Sequence, residues 1–402
     1  MSSITAIVPT YNRAAFLKET LQALQKQTRP VDEIIVWDDG SIDGTAEVAH
    51  AFGTSIRYFR GENGGKSRAL NAAMEQANGE LIWICDDDDI ALPDAAETLS
   101  DLLASKPEAG IAGGGYRRFR GGPDGAREEQ GPGYWPDLAL GTPIRHILED
   151  IFLFQNAMLA RRSLYDRAGP FREDLPRSID YEMLVRLGTL APIEVTDRAI
   201  FLQRKHDGDR GPASARHAAD RSDEVWKSAD RAIFSEFRSQ IPVSFYEGMF
   251  EAGDARFVRR AALLQRGAVY ARRTDWDAAI LDFAAASEAA PDAPLCPLEV
   301  AICRRAVSGK HGIGSLTDAG SRRALARLAR SSAAGTGIAR GVARGLAWRA
   351  KAAFRTGQLA ASTGIVTLAL TLLTSGRETR GPAPLIKERR DIPAAAYLSS
   401  WT

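Results

Sequence analysis

The sequence predicts an α/β fold in which a mostly parallel sheet is covered by helices, followed by an all-helical C-terminal region. Three observations carry this. Short β-rich runs alternate with amphipathic helical stripes through the first half; several of those runs end in acids, glycine or serine; and after roughly Arg216 the composition turns to Ala, Arg and Leu with helical periodicity.

The elements follow in order. "ITAIVPT" (4–10) is a strand, and the next stretch sets Phe16, Leu17, Leu21 and Leu24 on one helical stripe. "EIIVWDDGS" is a strand ending in acids, "DGTAEVAHAF" a short helix and "IRYFRGE" a third strand. "GGKSRALNAAMEQA" is a helix opened by glycines and stopped at Asn78-Gly79. "ELIWIC" is a fourth strand, and Pro93 is expected in the first turn of the helix "PDAAETLSDLLAS". Residues 109–155 loosen into a strand, a polar Gly/Pro loop and the aromatic pair Tyr134 and Trp135. A helix is expected to begin near Ser178, and "AIFLQRKHDGDRGPAS" adds a strand and a histidine.

Bulk properties narrow the function classes. At 402 residues the chain has room for two or three domains, and its formal net charge of +1 gives no reason to expect a nucleic-acid binder. Cys85, Cys296 and Cys303 are too few and irregular for a disulfide framework or a thiolate metal site, so a reducing compartment is expected. Cys85, in an apolar strand, reads as a small hydrophobe and not a nucleophile. Neither an export signal nor a membrane-spanning segment is expected, since the apolar run "GIVTLALTLL" is well short of about 20 residues.

The most informative stretch is "LIWICDDDDIALP" (81–93). Adjacent carboxylates repel, so a run of acids costs stability unless it is solvated, hydrogen-bonded or shared with a cation. A solvated strand end would explain it alone. In parallel sheets, however, ligands bind outside the carboxyl ends of strands, where Tyr11, Asp38, Asp39 and Asp86 to Asp89 all fall.

The fragments "IVPTYNRAAFLKETLQALQKQT", "WDDGSIDGT", "GGKSRALN", "CDDDDIALP" and "SIDYEMLVRLG", in that order, resemble the inverting glycosyltransferase family 2, whose catalytic domain has the GT-A fold. The resemblance covers about the first half of the chain. It implies a nucleotide-sugar donor held by Pro9, Thr10, Tyr11 and Arg13, with Asp39 accepting a base N–H and Tyr11 stacking. It implies a loop at Gly65, Arg68 and Asn71 closing on the nucleotide, with Arg68 near a phosphate. The Asp-x-Asp pattern becomes Asp86 and Asp88, with Asp87 between. Asp88 is then the ligand of Mn²⁺ or Mg²⁺ bridging the two phosphates, and Asp86 a partner of ribose or metal-bound water. His206 would complete the site from a late loop, beside Arg204 and Lys205. Asp180 would be the base that deprotonates the acceptor hydroxyl, with Glu182 as its alternative.

The resemblance makes UDP the commonest nucleotide, with GDP- and dTDP-linked donors also possible, and the acceptor a glycan, a lipid-linked sugar or a protein. Tyr116, Tyr134 and Trp135 are either an acceptor platform or core packing. A nucleotidyltransferase-like enzyme and a nucleotide-sugar-binding scaffold are the competing readings. No basic glycine-rich signature follows the first strand, which disfavours the former.

The expected organisation is a catalytic domain at 1–216, tetratricopeptide-like helical hairpins at 217–310, a basic helical region at 311–376 and an extended arm at 377–402. In the hairpins Trp276, Ile280 and Phe283 share a face. Gly335, Gly337, Gly341 and Gly345 weaken any continuous helix in the basic region. With Arg327, Arg330, Arg340, Arg344, Arg349, Lys351 and Arg355, that region is either a bundle with solvated arginines or a peripheral contact with an anionic membrane, on its cytoplasmic face.

Overall fold

The computed structural model describes residues 2–123, 125–205, 222–376 and 381–401. The chain divides into two compact units: Met1–Asp137 with Ile151–Ser222 and Tyr397–Thr402, and Leu138–Asp150 with Asp223–Ala396.

The first unit is built on β1 (Ile4–Thr10), whose apolar residues are fully buried at Ile4, Ile7 and Val8. After α1 (Ala14–Gln25), β2 (Glu33–Asp38) pairs parallel to β1. After α2 (Thr45–Ala51), β3 (Arg57–Arg60) pairs parallel to β2; after α3 (Lys66–Gln76), β4 (Leu81–Ile84) pairs parallel to the other side of β1. Parallel pairing across helical connections is what alternating strands and helices predict. Chain reversal between the two flanks of β1 brings the ends of β1, β2 and β4 to one edge.

The remaining strands make the sheet mixed. β5 (Ile90–Ala91) and α4 (Ala95–Ser105) follow β4, then β6 (Ile111–Arg120) and β7 (Glu128–Pro132). Helix α5 (Pro143–Glu149) belongs to the second unit, and β8 (Met158–Arg161), α6 (Arg162–Ala168), α7 (Ile179–Leu190) and β9 (Ile193–Arg204) complete the first. The nine-stranded order is β3-β2-β1-β4-β8-β6-β9-β5, with β7 beside β6. β8 is antiparallel to both β4 and β6, whereas β9 runs parallel to β6. The α/β class expected from the sequence holds, with its parallel character concentrated in β1 to β4. Strands β5, β7 and β8 were not legible: two are short, and β7, "EEQGP", has no apolar alternation. Pro93 lies one residue before the cap Asp94 and not in the first turn of α4.

The second unit contains α8 (Ser222–Gln240), α9 (Val243–Glu247), α10 (Ala255–Arg272), α11 (Trp276–Ala289) and α12 (Pro297–Arg305), then α13 (Ala319–Ser331), α14 (Ala333–Arg355) and α15 (Leu359–Thr374). The hairpin of α10 and α11 buries Trp276 and Phe283, while Ile280 is only half-buried. Part of the expected arm is β11 (Ile386–Glu388), antiparallel to β10 (Phe250–Ala252). The chain's last residues pack in the first unit, where the Trp401 indole donates to Thr189 Oγ1 at 2.9 Å.

Contrary to expectation, α14 runs unbroken through its glycines. They are there for closeness: a Cβ on Gly341 would stand 2.6 Å from Cys303 Cβ, and one on Gly345 would stand 2.5 Å from Val307 Cγ2. The helix propensity lost, about 1 kcal/mol per glycine, is offset by close packing of α14 against α12 and the residues after it. Arg349 is also not a solvated phosphate ligand, because its guanidinium donates to the carbonyls of Val307 and Gly309.

Candidate active site

The site is assembled where the carboxyl ends of β1, β2 and β4 meet the N-termini of α3 and α7. Asp39 N–H donates to Thr10 O at 2.9 Å, tying the end of β2 to that of β1. Asn12 adopts a left-handed φ of 52°, held by its N–H to Ser41 Oγ and by its Oδ1 accepting from Ile42 N, both at 2.8 Å. This bend leaves Tyr11 about half exposed, at 47 %, on the rim. Pro9 remains within β1, paired with Trp37.

Asp38 is fully buried and accepts from Ser41 N–H at 2.7 Å and from the Tyr58 hydroxyl at 2.6 Å, a loop-closing role. Asp39 accepts the N–H groups of Gly64 and Gly65, each at 2.8 Å, so its carboxylate holds the loop that opens α3. Gly65, at φ 88°, caps α3 in a conformation that a side chain would strain. Arg68 is exposed in the first turn of α3, folded against Gly64. Asn71 is committed elsewhere: it donates to Phe171 O at 2.9 Å and accepts Phe171 N–H at 2.8 Å, clasping α3 to the segment before α7.

The acid run divides by partner. Asp87 is buried, accepts from Thr10 Oγ1 at 2.7 Å and pairs with Arg13 at 3.0 Å. Burial pushes its carboxyl up to about 6, against the pull of Arg13 and with the help of Asp88. Arg13 also reaches Asp88 at 2.6 Å. Asp89 is structural: it takes the Arg204 backbone N–H at 2.8 Å and an Asn156 amide N–H, while burial raises its pKa. Arg204 itself pairs with Glu19 and donates to Asp88 O, so its guanidinium is committed within the fold.

The residue that sequence reasoning missed is Lys66. Its ammonium sits between Asp86, at 2.8 Å, and Asp180, at 3.0 Å, joining the end of β4 to the start of α7. Burial works against its charge, but Asp180 and Asp86 more than offset this and raise its pKa. The signal was available in "GGKS": a lysine at the first helical position after glycines, on the edge that carries the acids. Burial raises the pKa of Asp180, opposed by Lys66 and assisted by Asp86, and its Oδ1 is buried with no hydrogen-bond partner among the described residues. The helix opens from Ser178 at a left-handed φ of 56°, local strain of the kind that clusters at working sites. Glu182, the alternative base, is buried in an ion pair with Arg186 at 2.8 Å.

His206 lies outside the described residues. Among the described residues no group of three or more His, Cys, Asp or Glu side chains is arranged to cage a metal. The donors that are present, Asp86 and Asp88 on an edge where carboxylates outnumber cations, suit a hard divalent ion brought in with a diphosphate and completed by water. Tyr116 is core, stacked on Phe201 at 5.5 Å, and Trp135 packs edge-on to Phe152; Tyr134 is 54 % exposed. Burial raises the Cys85 thiol's pKa, as suits an inert side chain.

Several known proteins are similar in sequence to this chain. The sequence is 28 % identical over 228 residues to an uncharacterized glycosyltransferase of Rickettsia conorii, 56 % of this chain and 37 % of that one. It is 28 % identical over 225 residues to the poly(ribitol-phosphate) beta-N-acetylglucosaminyltransferase TarS of Staphylococcus aureus, 52 % of this chain and 37 % of that one. The chain thus spans less than half the length of these curated relatives. Residues 1–349 of TarS, solved in complex with UDP-GlcNAc, align with a TM-score of 0.48 and 18 % identity over 76 % of this chain and 85 % of that one. The sequence model of the family described as glycosyl transferase family 2 matches residues 5–168. Residues 5–168 are thus similar to the family that the sequence motifs resemble, and they include the strand ends that build the acidic edge.

Proposed function

We propose that the chain transfers a sugar, with inversion, from a nucleoside-diphosphate donor to an acceptor hydroxyl, and that UDP is the nucleotide. The observation that carries this reading is the Lys66 bridge, which sets Asp180 beside the Asp-x-Asp carboxylates instead of on another face. The UDP-GlcNAc complex and the named activity of TarS support the donor class.

Tyr11, half exposed over the β1 edge, offers a face for the base, and Arg68 and Arg13 supply positive charge for the phosphates. Asp39 acts chiefly by fixing the Gly64-Gly65 loop, leaving its N–H-saturated carboxylate a limited share in base recognition. Asp88 and Asp86 would hold Mn²⁺ or Mg²⁺ with the diphosphate, where the ion would neutralise charge on the leaving group. When the anionic donor draws Lys66 away, Asp180 is released to take the acceptor proton. The acceptor oxygen then bonds to the anomeric carbon as the carbon–oxygen bond to the diphosphate breaks, and one displacement inverts the centre. Glu182, neutralised by Arg186, is poorly suited to that role.

A panel of nucleotide sugars, read by released nucleoside diphosphate with and without Mn²⁺, tests enzyme class, base preference and metal demand together. Turnover should appear with one nucleotide class and be lost in Asp88→Asn. Donor binding without turnover on any acceptor class would instead identify a binding scaffold.

A further inference from the structure

The structure assigns a lipid-docking surface to the α14–α15 hairpin of the helical unit: we propose that it lies on an anionic membrane face. Helix α15 has no charged residue. One side packs inward through Ile365, Leu368 and Leu372, whereas Leu359, Val366, Leu370 and Leu373, spaced seven, four and three apart, are 38–59 % exposed on the other. An apolar stripe of this kind is normally covered by a partner or a membrane. At 16 residues the helix is roughly 24 Å long, shorter than a bilayer core, and no helix of the described residues is long and apolar enough to cross one. It can therefore lie in an interface but not span it.

Charge decides the occupant. On the neighbouring helix Arg344, Trp348, Lys351 and Arg355 recur at four, three and four residues, so they share one exposed face. Phe354 beside them is 65 % exposed, and residues 319–376 contain no Asp or Glu. A groove of about 470 Å³ between α14 and α15, lined by Trp348, Ala352, Ala361, Gly364 and Ile365, adds an apolar recess of small side chains beside that face. A second copy of this chain would bring two acid-free cationic surfaces together, which is repulsive. Anionic lipid headgroups match the cations while Trp348, Phe354 and the α15 stripe enter the headgroup–acyl boundary, the pattern of an interfacial helix.

This inference rests on the helical unit and not on sugar transfer. The test is co-sedimentation of the full chain with phosphatidylcholine vesicles, with and without phosphatidylglycerol, at low and high salt, with donor hydrolysis read in parallel. Binding should require the anionic lipid and weaken with salt. Arg344→Glu/Lys351→Glu/Arg355→Glu should bind roughly 100-fold more weakly, from the loss of three surface cations. Val366→Ser/Leu370→Ser/Leu373→Ser, all at solvent-exposed positions, should also bind more weakly while keeping the wild-type circular dichroism. Absence of binding by the intact chain, or equal binding by all three proteins, would overturn the proposal. So would sedimentation velocity showing self-association that the serine variant abolishes without any vesicle binding. Vesicle binding without donor turnover would leave this proposal standing and refute only the catalytic one.

Discussion

Two carboxylates, the buried Glu149 at the end of α5 and the half-buried Asp180 at the start of α7, show opposite uses of the same chemistry. Glu149 sits in the helical unit and accepts from Arg305 Nε and Gln265 Nε2, each at 2.9 Å, with Arg145 at 3.5 Å, while its backbone carbonyl takes Arg272 and Arg273. Burial would raise its pKa, but Arg305, Arg145 and Arg272 outweigh that and hold it well below the usual carboxylate range. Among the described residues Asp180 pairs with one cation, shared with Asp86, and has a buried oxygen with no partner; its pKa is raised. A carboxylate saturated with donors anchors structure. One left short of them has bonding capacity to spend on a substrate.

The largest expected effect separates the two in rate. Asp180→Asn should lower transfer by about 10³-fold, within the usual span for a general base, while titration with donor shows nearly unchanged affinity. Undiminished turnover would remove Asp180 from the chemistry. Glu149→Gln should do the reverse, costing about 3 kcal/mol in denaturant unfolding by removing the buried negative charge that faces Arg305 and Arg145, with turnover per folded molecule preserved. A small stability change there would mean that the arginines find other partners.

Smaller effects sharpen the comparison. Lys66→Ala removes a cation that lowers the Asp180 pKa, so the acid limb of the pH–rate profile should move to higher pH and transfer should fall by about 10-fold; Lys66→Arg should largely restore both. A drop in rate with an unmoved acid limb would reduce Lys66 to a structural tie. The smallest effect concerns Asp87. A carboxyl raised to about 6 in the fold binds its proton more tightly there than in the unfolded chain, so its contribution to stability is present below about pH 4 and lost as pH rises to about 6. The difference in melting temperature between wild type and Asp87→Asn should therefore shift in favour of the variant across that window, and a constant difference would contradict the raised value.

Much of the first unit was legible because period-2 and period-3.6 patterns are local. β1 to β4, α1 to α4 and α7 appear where apolar spacing put them, and the acid-bearing ends fall on one edge because parallel crossovers leave no other arrangement. The antiparallel additions escaped notice because β5, β8 and β11 are too short to show a period. The glycines of α14 misled for a related reason. Propensity counts what a residue costs a lone helix, and only packing against α12 reveals what the missing Cβ permits.

By itself the sequence determined the fold class, the strand-end acids and the motifs that resemble a family, since these depend on neighbours along the chain. Only the tertiary structure decided which acid does what. It spent Asp38, Asp89 and Glu182 on internal partners, placed Lys66 between Asp86 and Asp180, and turned the acid-free stretch into an exposed cationic and apolar face. The physical reason is that a side chain's charge state and bonding capacity depend on dielectric and partners, and those partners arrive from residues up to 115 positions away.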